Sequence, residues 1–212
     1  MAKVQLALAA RGKDEGAFKA WGSRAVGKNN TKQWGSGKEL LQHLVDATNG
    51  GENCIEKLYV FSHAWPYDPD GNRGGVKLGG VNISGFYSYP LTYDHRDARY
   101  IKDLRRLIKN GDIRFCDRCK VIFTGCRVAS SKFPEEFIRL SRCKLIASNG
   151  SSHPDPGNPP GDETGVWFST AGGWEEQQAE KNDGHYVGWI EYEMDSSGDI
   201  YEKELGKNIS LW

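Results

Sequence analysis

Apolar residues fall into two kinds of run along this chain: short continuous runs, and runs that recur every three or four positions. The segment 3–10 is of the first kind and predicts a strand. It is short, interrupted by Gln5 and closed by Arg11, Lys13, Asp14 and Glu15, so it is not read as a signal peptide. A polar, glycine-rich stretch follows over 11–35. Ser36 and Glu39 then form a capping box, and Leu40, Leu41, Leu44, Val45 and Ala47 repeat at helical spacing until Asn49-Gly50-Gly51 ends the helix.

Residues 55–62 predict a strand buried on both faces, because their second half is continuously apolar. A long loop rich in Gly, Pro, Tyr and Asp spans 64–96, and loops of that length inside a domain are usually functional or disordered. A helix over 97–109 is predicted from Ala98, Ile101, Leu104, Leu107 and Ile108 on one face, with Asn110-Gly111 as its stop. Further strands are expected at 119–125, 143–148 and 166–170. Pro134 opens a short helix, and a helix is expected at 174–181. The segments 186–194 and 200–205 flank Asp195-Ser-Ser-Gly-Asp199 and read as a hairpin.

Strands alternating with helices predict an α/β fold, a three-layer sandwich whose mainly parallel sheet carries helices on both faces, with the hairpin at one edge. No linker divides the chain, so residues 1–212 are read as a single domain. A chain of 212 residues can bury a substantial core without covalent staples. The five cysteines are therefore read as reduced thiols of a cytoplasmic protein. The 28 basic and 28 acidic residues cancel, with no basic stripe and no polybasic run, which argues against nucleic-acid and membrane-surface partners.

The chemistry concentrates at two strand ends. In open parallel sheets, sites gather beyond the carboxyl ends of the strands. His63 directly follows one buried strand and Cys126 ends another. One helical crossover joins these strands, so they are expected to be neighbours roughly 5 Å apart. A thiolate attacks a carbonyl carbon, and a nearby imidazole lowers a thiol's pKa or moves its proton. The turn at Gly125-Cys126 is expected to aim the Cys126 backbone N–H at the developing oxyanion, with Ala64 or Trp65 supplying a second donor.

These residues carry a resemblance. Leu58-Tyr-Val-Phe-Ser-His-Ala64 is similar to the apolar-strand, Ser-His-Gly block of caspase-like (clan CD) cysteine peptidases. Val121-Ile-Phe-Thr-Gly-Cys-Arg127 is similar to their strand-Cys block. Gly125-Cys-Arg-Val-Ala-Ser130, followed by a helix and by Leu145-Ile-Ala-Ser148, most resembles bacterial caspase-like domains. The resemblance covers roughly 38–150. It implies a cysteine endopeptidase with Cys126 as nucleophile and His63 as acid and base, needing no cofactor and acting on a protein or peptide. Ala64 departs from the family's Gly, where a left-handed backbone would be disfavoured. Small bacterial domains of this type include toxins or immune-type effectors delivered without a signal peptide, which brings in a cognate inhibitor or immunity protein as a partner.

Two rivals share the fold. One is an amidase acting on cell-wall peptide or a small amide with the same dyad. The other is a non-catalytic binding module using the aromatic segment Phe86-Tyr-Ser-Tyr-Pro90. Asp68 and Asp70 follow His63 and read either as a solvated turn or as carboxylates facing a basic substrate residue; they do not complete a calcium loop, because Arg73 and Gly79 occupy its sixth and twelfth positions. Cys116-x-x-Cys119 lacks the second ligand pair that zinc needs and is read as core or solvated thiols. Gly35-Ser-Gly-Lys38 lacks the first Gly and the Ser/Thr of a phosphate loop.

Overall fold

Five parallel strands form the centre of the computed structural model, which describes residues 1–65, 74–78, 84–90, 97–154, 167–170 and 186–210. They are β1 (Lys3–Ala10), β2 (Thr31–Trp34), β3 (Cys54–Phe61), β8 (Phe115–Phe123) and β9 (Lys144–Ser148). The hairpin of β12 (Trp189–Met194) and β13 (Ile200–Gly206) adds two antiparallel strands beyond β9. The seven strands lie in the order β13-β12-β9-β8-β3-β1-β2. Four helices serve as crossovers or cover: α1 (Glu15–Val26), α2 (Gly37–Thr48), α3 (Ile101–Asn110) and α4 (Phe133–Ser141).

The chain steps from β1 to β2 in one direction and from β2 to β3 in the other. Right-handed crossovers therefore put α1 on one face and α2, α3 and α4 on the opposite face. The packing agrees. Gly22 of α1 lies against Ala7, while Phe133 and Phe137 of α4 meet the ring of Phe123, which points away from Ala7's side of the sheet. The continuously apolar second halves of β1, β3 and β8 fill the layer between. The α/β class and the mainly parallel sheet with helices on both faces are thus present, as is the edge hairpin. Among the described residues no helix is long and apolar enough to cross a membrane.

Two small sheets grow from the carboxyl ends of the central strands. One joins β4 (His63–Trp65), β5 (Gly75–Lys77), β6 (Gly85–Tyr87) and β7 (Arg99–Tyr100), so the expected long loop over 64–96 contains paired strands. The other joins β10 (Ser152–Pro154), β11 (Trp167–Thr170) and β14 (Asn208–Ser210). The stretch 11–35, read from the sequence as polar and glycine-rich with no element assigned, holds α1 and β2. The helix expected at 174–181 lies outside the described residues.

The cysteines correct the sequence reading. Cys54 bonds to Cys116 and Cys119 to Cys143, leaving Cys126 as the one free thiol of the five. The Cys-x-x-Cys pair is neither a set of core thiols nor a ligand pair. It spans an irregularity in β8: between Ile55 and Lys57 the partner strand advances from Phe115 to Lys120, and Arg118 takes a left-handed φ of 60°. Each of its cysteines therefore reaches a different neighbouring strand.

Candidate active site

The connections of β1 and β3 leave their carboxyl ends toward opposite faces, and it is at such a switch point that open α/β sheets carry a crevice. His63 follows β3 and Lys13-Asp14 follow β1, so both stand at this point. Cys126 joins them from the adjacent strand. Val60 and Phe123 are register partners, and His63 and Cys126 each lie three residues beyond them. Thr124 extends the pairing, its N–H donating to the Val60 carbonyl at 3.0 Å.

Gly125 sets the closeness of the two segments. A Cβ at this position would lie 2.9 Å from the Cβ of Ala64 and 3.1 Å from the His63 carbonyl oxygen. Only glycine lets the turn before Cys126 lie against the backbone after β3. Ala64 sits inside β4 opposite Val76 and has no positive φ, so the backbone that disfavours alanine does not arise there. The Cys126 N–H donates no hydrogen bond to the described residues.

The imidazole is held from two sides. Its Nε2 lies 3.2 Å from Oδ2 of Asp14 and 3.4 Å from the Lys13 carbonyl oxygen. Phe18 of α1 packs edge-on against the ring, with centroids 5.3 Å apart. Two acceptors at Nε2 select the tautomer that carries its proton there, leaving Nδ1 as the base. Asp14 precedes α1 in a left-handed conformation, φ 67°, yet its carboxylate caps no helix N–H. An aspartate that forgoes capping and faces an imidazole orients that imidazole and balances its charge once protonated. The pair is partly solvated, with His63 30% and Asp14 48% exposed, so its value lies in orientation rather than stability.

The thiol is anchored on the other flank. The Ser152 N–H donates to Cys126 Sγ at 3.3 Å, and the thiol donates to the Ser152 carbonyl oxygen at 3.5 Å. Ser152 is tied in turn to the end of β8 by its hydroxyl, which donates to the Thr124 carbonyl. Asn149 joins the Cys126 turn to the strand ends, accepting from Ser130 Oγ at 2.6 Å and donating to the Tyr186 carbonyl at 2.8 Å. His63 and Cys126 thus flank the crevice without bonding to each other. Lys77 stands opposite His63 in the β4–β5 ladder, and burial pushes its amine's pKa down.

The structure brings His63, Ala64 and Cys126 together. Asp68 and Asp70 lie outside the described residues. Asp14, Phe18 and Ser152 were not found from sequence. Asp14 had a faint signal, since Asp-Glu before an apolar repeat is a helix start. Among the described residues no three His, Cys, Asp or Glu side chains gather as a metal site.

The loop that carries Lys13 and Asp14 has its own latch. Glu15 accepts from the Gly12 N–H at 3.2 Å and from Gln33 Nε2 at 3.0 Å. These bonds, the Gly12 one foremost, hold its carboxyl below the ordinary 4.5. A depressed carboxyl pKa contributes stability above the ordinary value, and that contribution is lost as pH falls through the lowered one. The Gly12 amide proton shift is expected to follow one acid transition with its midpoint below 4.5, absent in Glu15→Gln. A midpoint at or above the ordinary value would remove the latch from the account.

Comparison with protein-family models, with curated proteins and with solved structures gives no match to this chain.

Proposed function

We propose that the chain is a cysteine peptidase of caspase-like type. The observation that carries this reading is the meeting of His63 and Cys126 at equivalent positions beyond adjacent parallel strands, with Asp14 behind the imidazole. In the proposed reaction Cys126 Sγ attacks the scissile carbonyl carbon and its proton passes to His63 Nδ1. The oxyanion is met by the Cys126 N–H and, from β4, the Ala64 N–H. His63 then protonates the leaving amine as the C–N bond breaks, giving a thioester. A water deprotonated by His63 attacks the thioester and releases the acid and the free thiol.

The substrate is proposed to be a protein or peptide. Cleavage of an unfolded protein by the intact chain supports this; cleavage of peptidoglycan fragments alone redirects the same dyad to a cell-wall amidase; cleavage of neither contradicts the hydrolase. One observation favours a binding module instead: Sγ bonds to Ser152 rather than to His63. The disulfides support action in an oxidising compartment rather than in the cytoplasm. Delivery by a signal-peptide-independent route and an immunity protein remain proposals from the family resemblance.

The role of Asp14 has its own test. Asp14→Ala is expected to lower kcat roughly tenfold while leaving KM unchanged, because the Lys13 carbonyl still accepts from Nε2. An unchanged kcat would show that Asp14 does not orient His63.

A further inference from the structure

We propose a second binding site, for a small organic carboxylate with an apolar body, in the cleft at the start of β8. Phe115 pairs with Ile55 and Cys126 lies level with His63, eight positions further along the β3 segment, so the cleft lies roughly 25 Å from the thiol. The proposal does not depend on the peptidase reading.

The cleft has a volume of about 370 Å³ and opens between the turn after α2, the end of α3 and the turn from α4 to β9. Ile108, Ile113, Phe115 and Leu140 are its apolar lining residues, and Arg114, Ser141 and Arg142 line it as well, so the wall is mixed apolar and polar. Its wall is built by a close approach of two turns. Gly51, at φ 88°, lies where a Cβ would come within 2.0 Å of the Gly111 carbonyl oxygen. No other residue lets these turns meet.

Charge decides what the cleft accepts. No acidic side chain lines it. Neither guanidinium meets a carboxylate or another acceptor among the described residues. Nor do the arginines cap the nearby helix ends. The Leu107 and Ile108 carbonyls of α3 already accept from the Asp112 and Gly111 N–H groups, and the Ile138 carbonyl of α4 accepts from the Arg142 N–H. Arg142 holds a left-handed φ of 57° as the C-cap of α4 and lines the cleft. Two guanidinium groups without a partner among the described residues, in a cleft that Ile108, Phe115 and Leu140 also line, suit a carboxylate attached to a hydrocarbon or aromatic body. The volume falls at the small end of small-molecule sites, roughly 300–1,000 Å³.

The test titrates naphthalene-2-carboxylate into the full ¹⁵N-labelled chain, with naphthalene-2-carboxamide as the neutral control. Saturable shifts at the Ile113, Phe115 and Arg142 amides are expected, with the carboxamide binding at least roughly tenfold more weakly. Arg114→Gln with Arg142→Gln, both exposed, is expected to remove that preference, so that in this variant the carboxylate binds no more tightly than the carboxamide. No saturable shift at millimolar ligand, shifts confined to other residues, or equal binding of the two probes would each overturn the proposal.

Discussion

A chain carrying Cys126→Ala is expected to fold as the parent does and to lose peptide hydrolysis by at least roughly 10⁴-fold. The two halves of this expectation come from different observations. Cys126 is half-buried, outside the apolar core and outside both disulfides, and among the described residues its thiol bonds only to the backbone of Ser152. Truncating it costs the two weak sulfur hydrogen bonds with Ser152, so melting is expected to move little. The catalytic loss is large because no other nucleophile replaces the thiol: the remaining four cysteines are consumed in disulfides. His63→Ala is expected to cost a comparable factor, and the double variant little more than either alone, since the two residues act in one step. Rates of hydrolysis for the four forms test this. Retained hydrolysis in Cys126→Ala would end the nucleophile assignment, and additive losses would show that the residues act separately.

Removal of the disulfides is expected to have the largest effect on stability. Cys54–Cys116 closes a loop of 62 residues and Cys119–Cys143 one of 24. Loops of these lengths correspond to about 2–4 kcal/mol each. Cys119→Ala with Cys143→Ala is therefore expected to lower Tm by roughly 5–15 °C, and loss of both bridges by more. The position of the bridges adds a second effect. They tie β3 to β8 and β8 to β9 near the strand starts, beside the irregular stretch around Arg118 where slippage would be easiest. A slip of one residue would shift Cys126 past His63 by about 3.3 Å. Scanning calorimetry with and without reductant measures the first effect. Equal melting of the oxidised and reduced chains would contradict it.

The strands that carry the site were legible in the sequence because they are buried on both faces, and such strands announce themselves as unbroken apolar runs. The same runs located His63 and Cys126, and the single crossover between them made their strands neighbours. Other elements were not legible for physical reasons. The stripe of α1, Phe18, Trp21 and Ala25, is diluted by Gly16 and Gly22, so its amphipathic contrast falls below that of α2. The three-residue strands β4, β5 and β6 are too short for any alternation to register. Asp14 was invisible as a partner of His63 because the contact spans β1 to β3 and depends on the strand order. The cysteine pairing was misjudged for a similar reason. Size made a disulfide framework unnecessary, but the irregularity in β8 that turns Cys116 and Cys119 toward opposite neighbours exists only in the folded sheet.

The central claim is that His63 activates Cys126, and the rate of iodoacetamide labelling near neutral pH measures it most directly. Mass spectrometry of the oxidised chain is expected to find one modified cysteine, Cys126, labelled at least roughly tenfold faster in the parent than in His63→Ala. Equal labelling of Cys126 in the two proteins would contradict the account and leave a fold with two strand-end residues that share a crevice but no chemistry.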